Sequence, residues 1–417
     1  MQFVIICARI GLWPTDKPKN MVPSPRSWLS LLALAGLAAC TSGGGDGAGS
    51  APVATANLSA AAALGEKIFH DTSLSASGRI ACASCHESDH AFAGDSVVPT
   101  GGIDLDVQGF RNAPSLKYLT QNPAFFFDGE GTPTGGFDRD GRAASLLEQA
   151  RRPFLAAHEM ANASVVDVVD KLSRAAYASE FRAAFGDQVF ATPEAAFERA
   201  LFALQKYQQE DLAEFAPYTS RYDAFLAGRV RLTDAELRGL ALFNDPQKGN
   251  CAACHPSARG ANGAPPLFTD FTYDNLGVPR SADISANYDP DYFDLGLCGP
   301  DRTDIVDMRE LCGAFKVPTL RNVAVSGPYF HNGRFATLLE VVRFYVRRDT
   351  NPDEWYPLDP GSGLPRKFDD LPAELAANVN TTEPPYDRRP GDLPALSEPE
   401  IQDVVAFLQT LTDGFTQ

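Results

Sequence analysis

Cys82-Ala83-Ser84-Cys85-His86 and Cys251-Ala252-Ala253-Cys254-His255 are two copies of one pattern, C-x-x-C-H, in a chain of 417 residues. In this pattern the two thiols add across the vinyl groups of a porphyrin. The adjacent histidine is then held beneath the iron as its proximal ligand. Zinc is the competing reading of C-x-x-C, but a zinc site needs four ligands, and two such units share one ion only by discarding a histidine each. The pattern therefore predicts two covalent haem c groups, attached at Cys82, Cys85, Cys251 and Cys254, with His86 and His255 on the irons.

The other cysteines say where such a chain resides. Arg26 followed by the apolar stretch Trp28–Ala39 and by Leu37-Ala38-Ala39-Cys40 has the form of a lipoprotein signal. The apolar stretch is too short to span a bilayer. Residues 1–39 are thus expected to be a leader, with Met21 a second start, and Cys40 a lipidated anchor. Residues 40–57, rich in Gly, Ser and Ala, are expected to be a flexible tether. Cleavage elsewhere and soluble secretion is the alternative. Either way the destination is the periplasm, and Thr41 rather than Asp after Cys40 favours the outer membrane. In that oxidising compartment Cys298 and Cys312 are expected to form a disulfide worth about 3 kcal/mol, two free buried thiols being the alternative. The net charge of −17, from 53 acidic and 36 basic residues, argues against nucleic acid as a partner.

Helical periodicity brackets both haem motifs. A short helix precedes the first, and helical segments fill most of 143–227, with Val165, Val168, Val169 and Leu172 on one face. Thr233 with Glu236, and Ser397 with Glu400, form capping boxes that open one helix before the second motif and another at the end of the chain. Residues 256–330 and 350–395 read as loops. The expected fold is mainly α: two cytochrome c-like haem domains, 58–228 and 229–417, carrying long loop-rich insertions.

Further motifs carry a family resemblance: Arg111-Asn112-Ala113-Pro114-Ser115, Leu147-Glu148-Gln149-Ala150, Phe315-Lys316-Val317-Pro318-Thr319-Leu320-Arg321-Asn322-Val323 and Pro328-Tyr329-Phe330-His331-Asn332-Gly333-Arg334. With the two haem motifs they make the chain resemble the bacterial diheme cytochrome c peroxidase/MauG superfamily over about 58–412. The paired Leu-Cys-Gly segments and the insertion before the last helix look most like its MbnH branch. The resemblance implies that the first haem meets hydrogen peroxide, with Glu159 as the acid–base carboxylate and Gln149 and Pro153 beside it. It places a methionine or a tyrosine on the second iron, at the position of Tyr345, which shares a helix face with Leu338, Val341 and Val342. A buried core tyrosine is the bland alternative. A hard phenolate favours ferric and higher states, whereas a thioether favours the ferrous one. Asn112 matches a calcium ligand, with backbone oxygens near Ser326 and Pro328. Gly102 stands near where many peroxidases have a distal histidine. His90 is read as a surface or distal histidine, His70 and His158 as structural, and His331 as a hydrogen-bonding neighbour of the second haem. Phe127, in Phe127-Asp128-Gly129, is read as standing where the family has an inter-haem tryptophan, leaving neighbours such as Tyr118 to share charge.

These features imply an enzyme that uses hydrogen peroxide, through high-valent haem iron, to oxidise a residue on a periplasmic partner protein, tryptophan above all. The alternative is a peroxidase drawing electrons from a small redox protein. A third reading, a tethered electron carrier, leaves Glu159 and Gln149 without a task.

Overall fold

Ser59 caps helix α1 (Ala60–His70) by accepting from the Ala62 N–H, and the helix buries Leu64, Ile68 and Phe69 on one side. That face crosses α5 (Pro193–Glu210) very closely. A Cβ at Gly65 would lie 2.0 Å from Ala203 O, so only glycine permits the contact. The same device recurs before the second haem motif. Helix α8 (Asp234–Asn244) crosses α10 (Glu398–Gln409) at Gly239, where a Cβ would lie 1.9 Å from Asp403 O. Both predicted capping boxes, Thr233/Glu236 and Ser397/Glu400, are formed.

The computed structural model describes residues 58–416. The expected leader, the Cys40 anchor and the whole of the tether lie outside the described residues. Between α1 and α5 run α2 (Leu146–Arg151), α3 (Val165–Arg174) and α4 (Ala178–Phe185); α6 (Leu212–Phe215) and α7 (Arg221–Leu226) precede α8, and α9 (Leu338–Arg347) precedes α10. Strands are few and short: β1 (Thr100–Gly101) pairs with β2 (Val107–Gln108), β3 (Phe126–Phe127) with β4 (Pro133–Thr134), and β5 (Tyr273–Asp274) with β6 (Phe315–Lys316), all antiparallel. The fold is mainly α. No helix among the described residues is long and apolar enough to cross a membrane.

The two largest apolar clusters segregate along the chain. One runs from Leu64 to Phe215 and the other from Tyr222 to Leu411. Helix α7, which the sequence places before a boundary at 228/229, gives Tyr222 to the second cluster, where it packs on Phe268 and Phe407. Its Asp223 accepts two hydrogen bonds from Arg321, both 2.9 Å. The loops are stapled as well as packed: Cys298 and Cys312 are bonded, with Cα atoms 5.0 Å apart.

Candidate functional site

Each C-x-x-C-H unit is a turn of 3-10 helix whose histidine points into its own cavity. His86 Nδ1 lies 2.9 Å from Phe92 O, and His255 Nδ1 lies 2.7 Å from Phe268 O. A carbonyl only accepts, so each Nδ1 carries the proton and each Nε2 is left as the free lone pair that binds iron. Burial lowers both histidine pKa values, which keeps the rings neutral as ligation requires. Burial also pushes Cys82, Cys251 and Cys254 to about 12 and Cys85 to about 11. The zinc alternative finds no geometry. Among the described residues no three of these Cys and His side chains converge closely enough to share an ion.

The smaller cavity, about 150 Å³, brings Cys82, Cys85 and His86 together with Gln149, Pro153 and Glu159. The residues thus suit a haem with a carboxylate beside it. Gln208, 4 % exposed, leaves its Oε1 without a hydrogen-bond partner on the same wall, a polar atom suited to a bound group. The Glu159 turn is held from outside by the Gly102 N–H, which donates to Glu159 O at 3.0 Å. The segment where many peroxidases carry a distal histidine therefore buttresses the carboxylate here. Burial alone would raise the Glu159 carboxyl. The hydrogen bond and charge of His158, with Arg152 and Arg142 behind it, outweigh burial and hold its pKa below the ordinary value. His158 Nε2 is 3.4 Å from Glu159 Oε1. That makes His158, read from sequence as structural, the carboxylate's polar neighbour on the cavity wall. His90 lies outside this wall, with Glu87 and Asp95 near the surface.

The larger cavity, about 310 Å³, contains Cys251, Cys254, His255 and, from α9, Leu338, Val341, Val342 and Tyr345. The apolar face read from the sequence is therefore the face that lines the cavity. Burial carries the Tyr345 phenol far above its usual pKa, so only a cation facing it would hold it as phenolate. Among the described residues no methionine lines this cavity; Met308 is exposed and Met160 belongs to the other. His331 stacks on Phe315 at 3.8 Å and lies 3.3 Å from Asp370. Tyr386, from the insertion before α10, also reaches this wall and sits 6.0 Å from Tyr345, a neighbour that no periodicity in a loop could reveal.

Two expectations are corrected by the wall between the cavities. Phe127 lies in β3, 37 % exposed, packed on Phe125, and lines neither cavity. Arg139, in Asp138-Arg139-Asp140-Gly141, a second Asp-Gly nearer to Gln149 in sequence, lines both, as do Asn112, Asp138 and Gln149. Asn112, expected to offer an oxygen to calcium, serves this guanidinium instead: Arg139 Nη2 donates to Asn112 Oδ1 at 2.7 Å and Nε to Asn112 O at 2.9 Å. Both oxygens of Asn112 thus already accept from a cation of the chain's own. Burial, then repulsion from Arg111, brings Arg139 down to about 10, and burial brings nearby Lys316 to about 8.

Comparison with known proteins accords with this geometry. A family model described as di-haem cytochrome c peroxidase matches residues 59–231. The methylamine utilization protein MauG of Paracoccus denitrificans is 36% identical over 374 residues, covering 88% of this chain and 92% of that protein. Among solved structures, the diheme peroxidase BthA of Burkholderia thailandensis is 40% identical with a TM-score of 0.77, covering 85% of this chain and 86% of that one. A MauG-like protein associated with microbial copper homeostasis is 27% identical with a TM-score of 0.60, covering 87% of this chain and 92% of that one. Two haem-binding motifs in two cavities, and relatives of this extent, place the chain in the di-haem cytochrome c peroxidase and MauG family of oxidoreductases.

Proposed function

We propose that this chain uses hydrogen peroxide to oxidise a residue, tryptophan above all, on a partner protein in the periplasm, held near the membrane by a lipid on Cys40. Two haem c groups, one in each half of the chain, supply the redox chemistry when bound through Cys82, Cys85, Cys251 and Cys254. Glu159 takes a proton from peroxide entering the cavity beside His86 and returns it to the departing oxygen. His158 keeps that carboxylate ionised and aimed, and the Gln149 amide offers a hydrogen bond beside it. Tyr345 would offer the second haem a hard oxygen ligand, anionic once its proton is lost, which favours keeping oxidising equivalents over accepting electrons one at a time.

The observation that carries this reading is that Tyr345 lines the same cavity as His255, with no methionine among the described residues that line it. A second reading, a peroxidase fed by a small redox protein, is favoured by Arg139, because a guanidinium between the cavities relays no charge. The deciding experiment is Mössbauer spectroscopy of the fully ferric protein after peroxide is added with no donor. Both irons leaving the ferric state supports the first reading. A reaction only after the second haem has been reduced supports the peroxidase.

Asn112 carries a smaller prediction. Because its oxygens hold Arg139, treatment with EGTA is expected to leave the optical spectrum and the melting temperature unchanged. A fall in melting temperature that added calcium restores would return Asn112 to the role of a metal ligand.

A further inference from the structure

The wall of the larger cavity carries four tyrosines, Tyr118, Tyr329, Tyr345 and Tyr386, and among the described residues no tryptophan lines either cavity. Of the four, Tyr118 is the one whose hydroxyl donates to a carboxylate, Asp413 Oδ2 at 2.7 Å; Tyr329 donates to the backbone oxygen of Val323. Tyr118 is 2 % exposed, and its backbone N–H donates to Phe215 O at 2.7 Å. Its φ of +65° is a costly conformation for a bulky side chain, so the surroundings hold the ring in place.

Those surroundings are unusual for a core tyrosine. The Arg321 guanidinium packs against two rings, 4.9 Å from the centre of Tyr118 and 4.5 Å from that of Tyr218. The rings themselves are 4.8 Å apart at 62°. Tyr218 gives its backbone N–H to the Tyr118 hydroxyl at 3.2 Å, while Asp413 is steadied by Thr219 N at 3.0 Å and Asn322 Nδ2 at 2.7 Å. Burial and then Asp413 keep the Tyr118 phenol protonated well above its usual range. A fixed cation over the ring opposes a second positive charge there, so an electron cannot leave while the proton stays. A carboxylate within hydrogen-bond reach gives the proton a place to go.

We infer that Tyr118 is a redox-active tyrosine that stores an oxidising equivalent. One electron passes from its ring to the peroxide-oxidised haem of the larger cavity, which is thereby reduced by one electron. The phenolic O–H bond breaks and its proton is taken by Asp413 Oδ2, leaving a neutral ring radical beside a neutral carboxylic acid. Tyr218, half-buried, is the next ring outward and the step toward an external reductant, whose electron and the returned proton restore the phenol. The inference rests on the peroxide reading above and gives its oxidising equivalents a resting place beside the larger cavity.

The test is to mix the ferric holoprotein with one equivalent of hydrogen peroxide, freeze it at intervals, and record optical and EPR spectra on the same samples. The optical change reports the reaction with peroxide and the free-radical EPR signal reports the tyrosine. The unsubstituted protein is expected to show a radical signal that narrows when the chain is made with ring-deuterated tyrosine. Tyr118→Phe should lose that signal and hold its optically oxidised state longer. Asp413→Asn, which keeps the phenol but removes the proton acceptor, should slow radical formation by roughly 10²-fold or more and abolish its solvent deuterium isotope effect. An optical response without a tyrosyl signal in the unsubstituted protein overturns the inference, as does a signal unchanged in Tyr118→Phe. So does loss of the optical response together with the signal in that variant, which would make Tyr118 a structural support of the cavity. No optical response in the unsubstituted protein overturns the peroxide reading itself, and the inference with it.

Discussion

Glu159→Gln is expected to slow the reaction with hydrogen peroxide by about 10²–10⁴-fold, the usual contribution of a positioned acid–base group, while both haems remain attached. The amide keeps the shape and the Gly102 contact, which goes to the backbone, but it accepts no proton at neutral pH. The sign of the pH dependence follows from the carboxyl being held below its ordinary value of 4.5, where burial's upward push is outweighed by His158 and the arginines. The base form is then fully present at neutral pH. The rate should stay flat as pH falls toward the ordinary carboxylate range and drop only as it passes through the lowered value. Stopped-flow measurement of the optical change against peroxide concentration checks both points. A variant that reacts at the parental rate would remove Glu159 from the mechanism.

Tyr345→Met should change the second haem most. A thioether in place of the phenol is expected to raise its reduction potential by a few tenths of a volt, within the roughly 0.8 V that axial ligands span. It should also bring the optical features of a methionine-ligated haem. The replacement is favoured sterically, because Leu338, Val341 and Val342 supply an apolar wall and an unbranched thioether packs against it readily. The variant should then need an electron donor before it turns over peroxide, shifting it toward the second reading of function. Potentiometric titration followed by optical spectroscopy decides the matter. If potential and spectrum both stay as they were, Tyr345 is a core tyrosine and the ligand must be sought elsewhere.

Much of the fold was legible because its signals are local. C-x-x-C-H is complete within five residues, a capping box within four, and the apolar face of α9 within three turns, so the reading at Thr233, Ser397 and Tyr345 needed no partner segment. The grouping of Glu159, Gln149 and Pro153 came from the family resemblance rather than from spacing, and the three line one cavity. The side on which helix α7 packs was not legible, because its short pattern is equally apolar whichever core receives it. What decided that was Tyr222 meeting Phe407 and Arg321 meeting Asp223, contacts far apart in sequence.

The wall between the cavities was beyond reach for the same reason. It is assembled from residues near 112, 139 and 149, with strand β6 and its following loop pressed beside them, and none of these segments advertises its partners. Two Asp-Gly pairs lie near each other in the chain, and one carries Phe127 to the surface while the other carries Arg139 between the cavities. The attachment of haem is written in residue types and spacing, because covalent bonds form between neighbours. Which side chain stands between the haem sites, which oxygens Asn112 has free, and which tyrosine meets a carboxylate depend on how distant segments pack, and packing is a property of the whole fold.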